Sequence, residues 1–276
     1  LVVTRRALAR LGAFHQQVRD IGADGDCGHR QHAQRGARRH DALAADARFC
    51  EPEVQRVITA RGQFAIDRDE LLHAAYLRAQ HDAVGRQAEL LADDAEVLGL
   101  AALVRLAEAR RHARVDENGA MVPLDRQNAG LWDAQLIDDG NRMLARAARL
   151  PQRGPYQLLA AIHAAHASRR QTGVTPWPAI LHLYDALLAV RPSPIVALNR
   201  AVVLAQVDGA DAGLDAMQAA GPAPALESSL PWLAAKAALL RQAGRRLEAR
   251  AAYVGALAAA PAPAERRFLE AELASL

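Results

Sequence analysis

The sequence predicts an all-α protein whose main body is an array of helix-turn-helix units. Three observations favour this fold. Hydrophobic residues make up 51% of the 276 residues and aromatic residues only 4%, and most of the apolar residues are Ala and Leu, which lose little entropy in a helix. Apolar stripes at helical spacing recur along the chain, and Gly and Pro interrupt them at short intervals after residue 150. A β-sandwich or barrel would need more Val, Ile, Tyr and Thr.

Composition excludes several classes of protein. The net charge is +3, from 34 basic and 31 acidic residues. A charge of this size does not by itself indicate nucleic-acid binding. The two cysteines, Cys27 and Cys50, cannot form a disulfide scaffold, so a reducing cytoplasm is expected. No apolar run approaches the roughly 18 residues of a membrane span, and the first ten residues do not resemble a signal peptide. We therefore expect a cytoplasmic protein without membrane contact.

Residues 1–70 are predicted to form a poorly ordered or out-of-frame-like segment. Residues 22–40 are dense in Gly, Arg, His, Gln and Asp and show no helical or strand period. The flanking residues 4–20 and 41–59 favour short helices. The segment also contains potential zinc ligands, but their spacing is irregular and favours a mobile loop over a metal site; they are Cys27, His29, His32, His40 and Cys50.

Residues 71–276 are predicted to form one helical domain. An apolar stripe begins at Leu71, and the Asp93-Asp94 pair predicts the N-cap of a helix that runs through Val104. Residues 113–125 place apolar residues on both sides of a glycine turn, which makes them the best candidate for a short β-hairpin. A long helix is expected over about 129–150, and Gly154-Pro155 opens the next one, with proline in its first turn.

Helix breakers recur with a period between about 155 and 276. Two segments have the same order of residues: a small or apolar residue, a tyrosine, a second small or apolar residue and a proline, at intervals of 4, 3 and 5. They are Ile180, Tyr184, Leu187 and Pro192, and Ala249, Tyr253, Ala256 and Pro261. The two prolines lie 69 residues apart, which is close to two units of the 34-residue tetratricopeptide repeat. Gly209 and Gly244, each ending a helix, lie 35 residues apart. The pattern predicts three units, 156–192, 194–224 and 231–261, and a capping helix over 262–276.

The residue types at these positions have physical reasons. Ala249 and Ala256 are small enough for two helices to cross closely, and Tyr184 and Tyr253 are large enough to fill the gap to the next unit. Proline ends the second helix because it cannot continue the hydrogen-bond ladder. A single unit cannot bury its own apolar face, so such units must stack into an α-α superhelix.

Several strings resemble the C-terminal extension of a group of bacterial extracytoplasmic-function sigma factors. The resemblance spans about residues 80–276 and rests on strings in one order, among them Ala95-Glu-Val-Leu-Gly-Leu100, Gly154-Pro-Tyr-Gln-Leu158, Leu183-Tyr-Asp-Ala-Leu187, Ser193-Pro-Ile-Val-Ala-Leu-Asn-Arg-Ala201 and Ala264-Glu-Arg-Arg-Phe-Leu-Glu270. It implies tetratricopeptide-like repeats behind two sigma regions and a role in transcription initiation. RNA polymerase core and promoter DNA are then partners if the full protein contains the sigma regions.

Residues 1–70 depart from this resemblance. Reading a promoter −35 element requires a helix pair with Arg or Lys on a recognition helix, and Arg38, Arg39 and Arg48 do not lie on one. We interpret the chain as a truncated or frameshifted copy, or one with a misplaced start. In this form it is not expected to initiate transcription alone.

Asn199 and Arg200 are the main candidates for partner binding. Both lie on the first helix of a repeat, where an Asn amide can hold a peptide backbone and an Arg can pair with a carboxylate. The alternative is a hydrogen bond between helices, from Asn199 to the turn around Tyr184. Tyr156 and Gln157, in a string that carries the resemblance, are further candidates.

Other candidate sites have a simpler structural explanation. His163 and His166 share one helix face and could meet His182 or Asp185 in a metal or general-base site, but ordinary packing is favoured. Of the three tryptophans, which could stack on a ligand, Trp132 favours core filling. No phosphate-binding loop, dinucleotide fingerprint, nucleophile elbow or zinc-protease motif occurs.

The sequence therefore predicts a protein that is not an enzyme, needs no cofactor or metal, and acts by protein–protein contact in transcription. The rival hypothesis is a stand-alone scaffold of the same fold, with a peptide partner in the repeat groove and no role in transcription. An enzyme that uses the His163 and His166 face is a third hypothesis.

Overall fold

A computed structural model describes residues 94–220 and 224–276, which are predominantly helical, as predicted. The predicted segment 1–70, the cysteine and histidine group within it and the start of the stripe at Leu71 lie outside the described residues. Nine helices of ten or more residues run through the described part: α1 (Ala95–Glu108), α2 (Ala134–Ala147), α3 (Pro155–Ala167), α4 (Trp177–Val190), α5 (Pro194–Asp208), α6 (Ala210–Ala219), α7 (Leu230–Gln242), α8 (Arg246–Ala258) and α9 (Pro263–Ala274).

Local capping signals set where the first helices begin. The Asp94 carboxylate accepts hydrogen bonds from the backbone N–H of Glu96 (2.9 Å) and Val97 (3.1 Å), which confirms the predicted N-cap. Pro155 occupies the first turn of α3, also as predicted. The helix expected from about 129 begins later, because Asp133 caps α2 and Ala129–Leu131 form only a short 3₁₀ turn.

The hairpin expected over 113–125 is reduced to a single bridge. Val115 and Met121 pair antiparallel around Gly119, whose φ is +72°. The ladder does not extend into strands, because the Met121 N–H donates to the Ala264 carbonyl (3.0 Å) of another element and Pro123 has no N–H to donate.

The second half of the chain consists of three helix pairs, α3 with α4, α5 with α6 and α7 with α8, followed by α9. In each pair the two helices contact each other, and α4 contacts α5, α6 contacts α7 and α8 contacts α9. Gly209 (φ +96°) separates α5 from α6, and Gly244 (φ +75°) separates α7 from α8. Glycine adopts such positive φ values without the steric cost that a Cβ would bring.

The apolar core runs along the whole array. One cluster joins α1 to α5 and includes Leu106, Trp132 and Leu183. A second joins α7, α8 and α9, and contains the fully buried Tyr253. The third lies between them and contains Trp232. Trp132 is thus a core residue, as the sequence favoured.

The remaining repeat positions differ in burial. Ala249, Ala256 and Pro261 are buried, Tyr184 is half-buried against the first cluster, and Pro192 is exposed. Within residues 94–220 and 224–276, no helix is long and apolar enough to cross a membrane.

Candidate functional site

A cavity of about 350 Å³ lies inside the array and is the candidate site. The first helix of every pair contributes to its wall, together with α9 and residues 123–126 from the turn before α2, and the second helices α4 and α8 contribute one residue each. Its lining side chains include His166 from α3, Val202 and Gln206 from α5, Arg241 from α7 and Glu272 from α9. The cavity therefore depends on the stacking of all three pairs.

Two arginines and two acidic residues form the charged part of the wall: Arg126, Arg241, Glu272 and the exposed Asp125. Arg126 donates from Nη1 (2.6 Å) and Nη2 (3.2 Å) to Oε1 and Oε2 of Glu272, and Arg241 Nη1 donates to the same Oε2. The Glu272 side chain is only 10% exposed, whereas those of Arg126 and Arg241 are 47% and 37% exposed. The hydrogen bond to Glu272 raises the pKa of Arg126, so this guanidinium is charged at neutral pH.

Aromatic rings surround this charged group. The Phe268 ring centroid lies 5.9 Å from the Arg126 guanidinium, a cation–π distance. Tyr253 lines the same cavity, and its burial raises the pKa of its hydroxyl to about 12. Trp177 completes the aromatic part of the wall.

His166 presents a neutral imidazole to the cavity. Its ring stands edge-on to Trp177, with ring centroids 5.5 Å apart, and the residue is 8% exposed. Burial above all, together with the nearby positive charges of Arg110 and Arg169, lowers its pKa to about 3. A neutral imidazole offers one donor and one acceptor, and the ring makes no hydrogen bond to a described residue.

His163 lies one turn before His166 and contacts a buried arginine. Arg110, 5% exposed, places Nη2 3.1 Å from His163 Nδ1. Because arginine can only donate, Nδ1 is the acceptor, and burial lowers the pKa of His163 well below its usual value. Burial also lowers the pKa of Arg110 to about 9. Both histidines thus face cations, and among the described residues no three His, Cys, Asp or Glu side chains form a metal-binding group.

The two main partner-binding candidates, Asn199 and Arg200, have different surroundings in the structure. Arg200 Nε donates to Asp185 Oδ1 (2.5 Å), which links α5 to α4. Asn199 is half-buried and precedes Val202 and Gln206 by three and seven residues, so it lies on the same face of α5 as these cavity residues. The alternative to partner binding that the sequence offered was a hydrogen bond from Asn199 to the turn around Tyr184. In the described residues it is Arg200 that bonds α4, at Asp185.

Tyr156 and Gln157 lie at the junction of α1 and α3. Their backbone N–H groups donate to the Glu96 carboxylate at 3.0 and 3.2 Å. The Gln157 side chain is fully buried and donates to the Gln152 carbonyl (2.9 Å). This side chain therefore offers no surface to a partner.

Sequence reasoning missed the charged group of Arg126, Arg241 and Glu272. Arg126 and Glu272 are 146 residues apart, and Arg241 and Glu272 are 31 apart. No local pattern signals such a contact. The His166 ring was singled out by its helix face, but not as part of a cavity wall.

Comparison with known proteins identifies two similarities. Residues 65–148 match a family of unknown function (DUF6596). An uncharacterized protein of Rhizobium meliloti strain 1021 is 38% identical over 178 residues, which are 64% of this chain and 42% of that protein. The chain thus spans about two fifths of the length of this curated relative, and no solved structure matches it.

Proposed function

We propose that this chain is the C-terminal helical-repeat part of an extracytoplasmic-function sigma factor and acts by protein contact during transcription initiation. The proposal starts from the strings between residues 95 and 270 that resemble such extensions. Its role requires a cytoplasmic location, alongside RNA polymerase. No catalytic step and no cofactor form part of it.

The observation that supports the protein-contact role is which helices line the cavity. α3, α5 and α7, the first helices of the three pairs, all contribute to one cavity. The second helices add only Trp177 from α4 and Tyr253 from α8. A wall built mainly by first helices supports a tetratricopeptide-like superhelix, in which stacked repeats expose the same helix of each unit along an extended concave surface. The helix pairs begin at Pro155, Pro194 and Leu230, which are 39 and 36 residues apart, compared with the 34 residues of such a repeat.

The rival function is a scaffold that binds a peptide outside transcription. Both functions use the same surface, so only the identity of the partner separates them. A sigma-factor extension should bind RNA polymerase core or the sigma regions of its own protein, and a scaffold should bind neither.

Binding of the purified chain to bacterial RNA polymerase core, and separately to the sigma regions of an extracytoplasmic-function sigma factor that has such an extension, tests the proposal. We expect micromolar or tighter binding to one of the two by biolayer interferometry. Replacing Asn199→Ala with Arg200→Ala should raise the Kd at least tenfold, because the amide and the guanidinium on α5 are removed together. The matched control is Arg250→Ala, which removes an exposed arginine on the second helix of the last pair.

Circular dichroism at 222 nm checks that the double variant keeps its helices. Absence of binding to both polymerase core and sigma regions would favour the scaffold. Binding that survives the double variant unchanged would remove α5 from the contact surface.

A further inference from the structure

We propose that residues 115–122, in the turn before α2, act as a clasp: they bind α9, close one side of the cavity and must separate from α9 before a partner can enter. The inference rests on the proposed function in one respect, namely that a protein partner uses the cavity. It adds a regulatory step, because the affinity for the partner then depends on how often the clasp opens.

The clasp and α9 lie on two sides of the same cavity. Residues 123–126, which follow the clasp directly, line the cavity, and Phe268 and Glu272 line it from α9. Separating the clasp from α9 would therefore widen the cavity along this side. The parts of the wall that come from α3, α5 and α7 would stay in place.

The apolar part of the contact is small and separate from the main core. Met121 and Ala264 form a buried cluster of their own, against which Val115 and Phe268 pack. The cores of the helix pairs belong to other clusters. Regions with few buried apolar contacts open locally at a lower free energy than the core. The clasp can therefore separate from α9 while the helix pairs stay packed.

Two hydrogen bonds to backbone carbonyls complete the direct contact. The Met121 N–H donates to the Ala264 carbonyl (3.0 Å), and Arg267 Nη1 donates to the Gly119 carbonyl (3.1 Å). The second bond is exposed, so water can replace it when the contact opens.

The sharing of Glu272 allows opening without leaving a buried acid unpaired. Arg126 and Arg241 both donate to Glu272, whose side chain is only 10% exposed. If Arg126 moves away, Arg241 still pairs with the carboxylate, and the Arg126 side chain, already 47% exposed, returns to water. Breaking a buried ion pair is costly mainly because it leaves an uncompensated charge. The second arginine removes that cost.

The chain beyond the clasp is fixed to α3. Arg169 donates to the carbonyls of Asp125 (2.6 Å), Leu124 (3.1 Å) and Gln127 (2.6 Å), and Leu124 belongs to the core cluster that joins α1 to α5. On the other side, α9 packs on α8. The contact between the clasp and α9 thus connects the two ends of the array, and it is the contact that opens.

Thiol labelling of the full chain tests whether the clasp opens separately. In a Cys27→Ser, Cys50→Ser background, Met121→Cys and Leu187→Cys each place one thiol at a buried position, since these residues are 5% and 1% exposed. A fluorescent maleimide should label the Met121→Cys chain at least a hundredfold faster than the Leu187→Cys chain, because Leu187 lies in the main core. Equal rates would mean that the clasp opens only when the whole fold unfolds, and the inference would be overturned.

Locking and releasing the clasp should change partner binding in opposite directions. In the same background, Met121→Cys with Ala264→Cys should form a disulfide on oxidation, because the two side chains share one cluster and their backbones are hydrogen-bonded. The oxidised chain should bind polymerase core or the sigma regions at least tenfold more weakly than the reduced chain. Met121→Asp with Arg267→Ala places a charge in the apolar cluster and removes a donor, so it should lower the Kd at least threefold.

None of these substitutions touches a residue of the cavity wall, so an effect on binding must act through the clasp. The matched control, Met121→Leu with Arg266→Ala, keeps the apolar contact and Arg267 and removes an exposed arginine of α9 instead. Its Kd should equal that of the parent chain. Circular dichroism at 222 nm should be the same for all forms.

The inference is overturned if the two cysteines do not crosslink, if crosslinking leaves binding unchanged, or if the released variant binds no more tightly than the control. Failure of the proposed function gives a different result. In that case neither polymerase core nor the sigma regions bind the reduced, oxidised or released chain, while the labelling rates still decide whether the clasp opens.

Discussion

The string Gly154-Pro155-Tyr156-Gln157 forms the contact between α3 and α1. The Glu96 carboxylate from α1 caps the start of α3 by accepting the N–H groups of Tyr156 and Gln157. A Cβ at Gly154 would overlap the Glu96 carboxylate, so only glycine permits this approach. A negative charge at a helix N-terminus is favourable, although burial raises the pKa of Glu96. This junction holds α1 against the helix pair of α3 and α4.

Glu96→Ala should therefore lower the free energy of unfolding by about 1–3 kcal/mol, because it leaves two N–H groups of α3 without their acceptor. Urea denaturation followed by circular dichroism measures the change. The control Glu270→Ala removes an exposed glutamate from α9 and should change stability by less than about 0.5 kcal/mol. Equal effects of the two substitutions would contradict the capping role.

At the scale of the helix pair, the distance between helices is set by small residues. A Cβ added at Gly213 in α6 would lie 2.7 Å from the Ala205 Cβ and 2.9 Å from the Ala201 carbonyl of α5. A Cβ at Gly255 in α8 would meet only Leu233 side-chain atoms, at 3.6 Å. Both glycines lie inside helices, but only the first is at a close crossing.

The two glycines should respond to alanine with opposite signs. Gly213→Ala should destabilise the protein by about 1–3 kcal/mol, because α5 and α6 must move apart. Gly255→Ala should stabilise it by about 0.5–1 kcal/mol, since alanine is the better helix former and the contact is ordinary. Thermal unfolding compares both with the parent chain. Stabilisation by Gly213→Ala would show that the crossing is looser than described.

At the scale of the molecule, the turn before α2 packs on the last helix. The Met121 N–H donates to the Ala264 carbonyl (3.0 Å) and Arg267 donates to the Gly119 carbonyl (3.1 Å). Arg126 adds the contact with Glu272. These contacts connect residues more than 140 positions apart and bring residues 123–126 to the cavity.

Glu272→Ala should loosen this connection without unfolding the helices. Arg126 would lose its carboxylate partner, so the turn should open more often and the Met121 amide should exchange its hydrogen at least threefold faster. Hydrogen–deuterium exchange with peptide-level mass spectrometry reports this change, with Glu270→Ala as control. Unchanged exchange would mean that the backbone contact to Ala264 holds the turn without the ion pairs.

The sequence by itself determined where most of the described helices begin and end. Asp94, Gly154-Pro155, Gly209 and Gly244 act through caps and backbone angles that involve only a few neighbouring residues. Such signals can be read without a fold. The hairpin predicted at 113–125 and the start of α2 predicted near 129 were the exceptions. The Met121 N–H binds a carbonyl of a distant element, and Asp133 caps α2 later than predicted.

Only the tertiary structure decided which side chains meet. The cavity, the enclosure of Glu272 by Arg126 and Arg241, and the turn of His166 into the wall depend on how three helix pairs stack. Arg126 and Glu272 are separated by 146 residues, and nothing in either neighbourhood marks them as partners. Local propensity can place a helix, but the stacking of one pair on the next selects the face that lines the cavity.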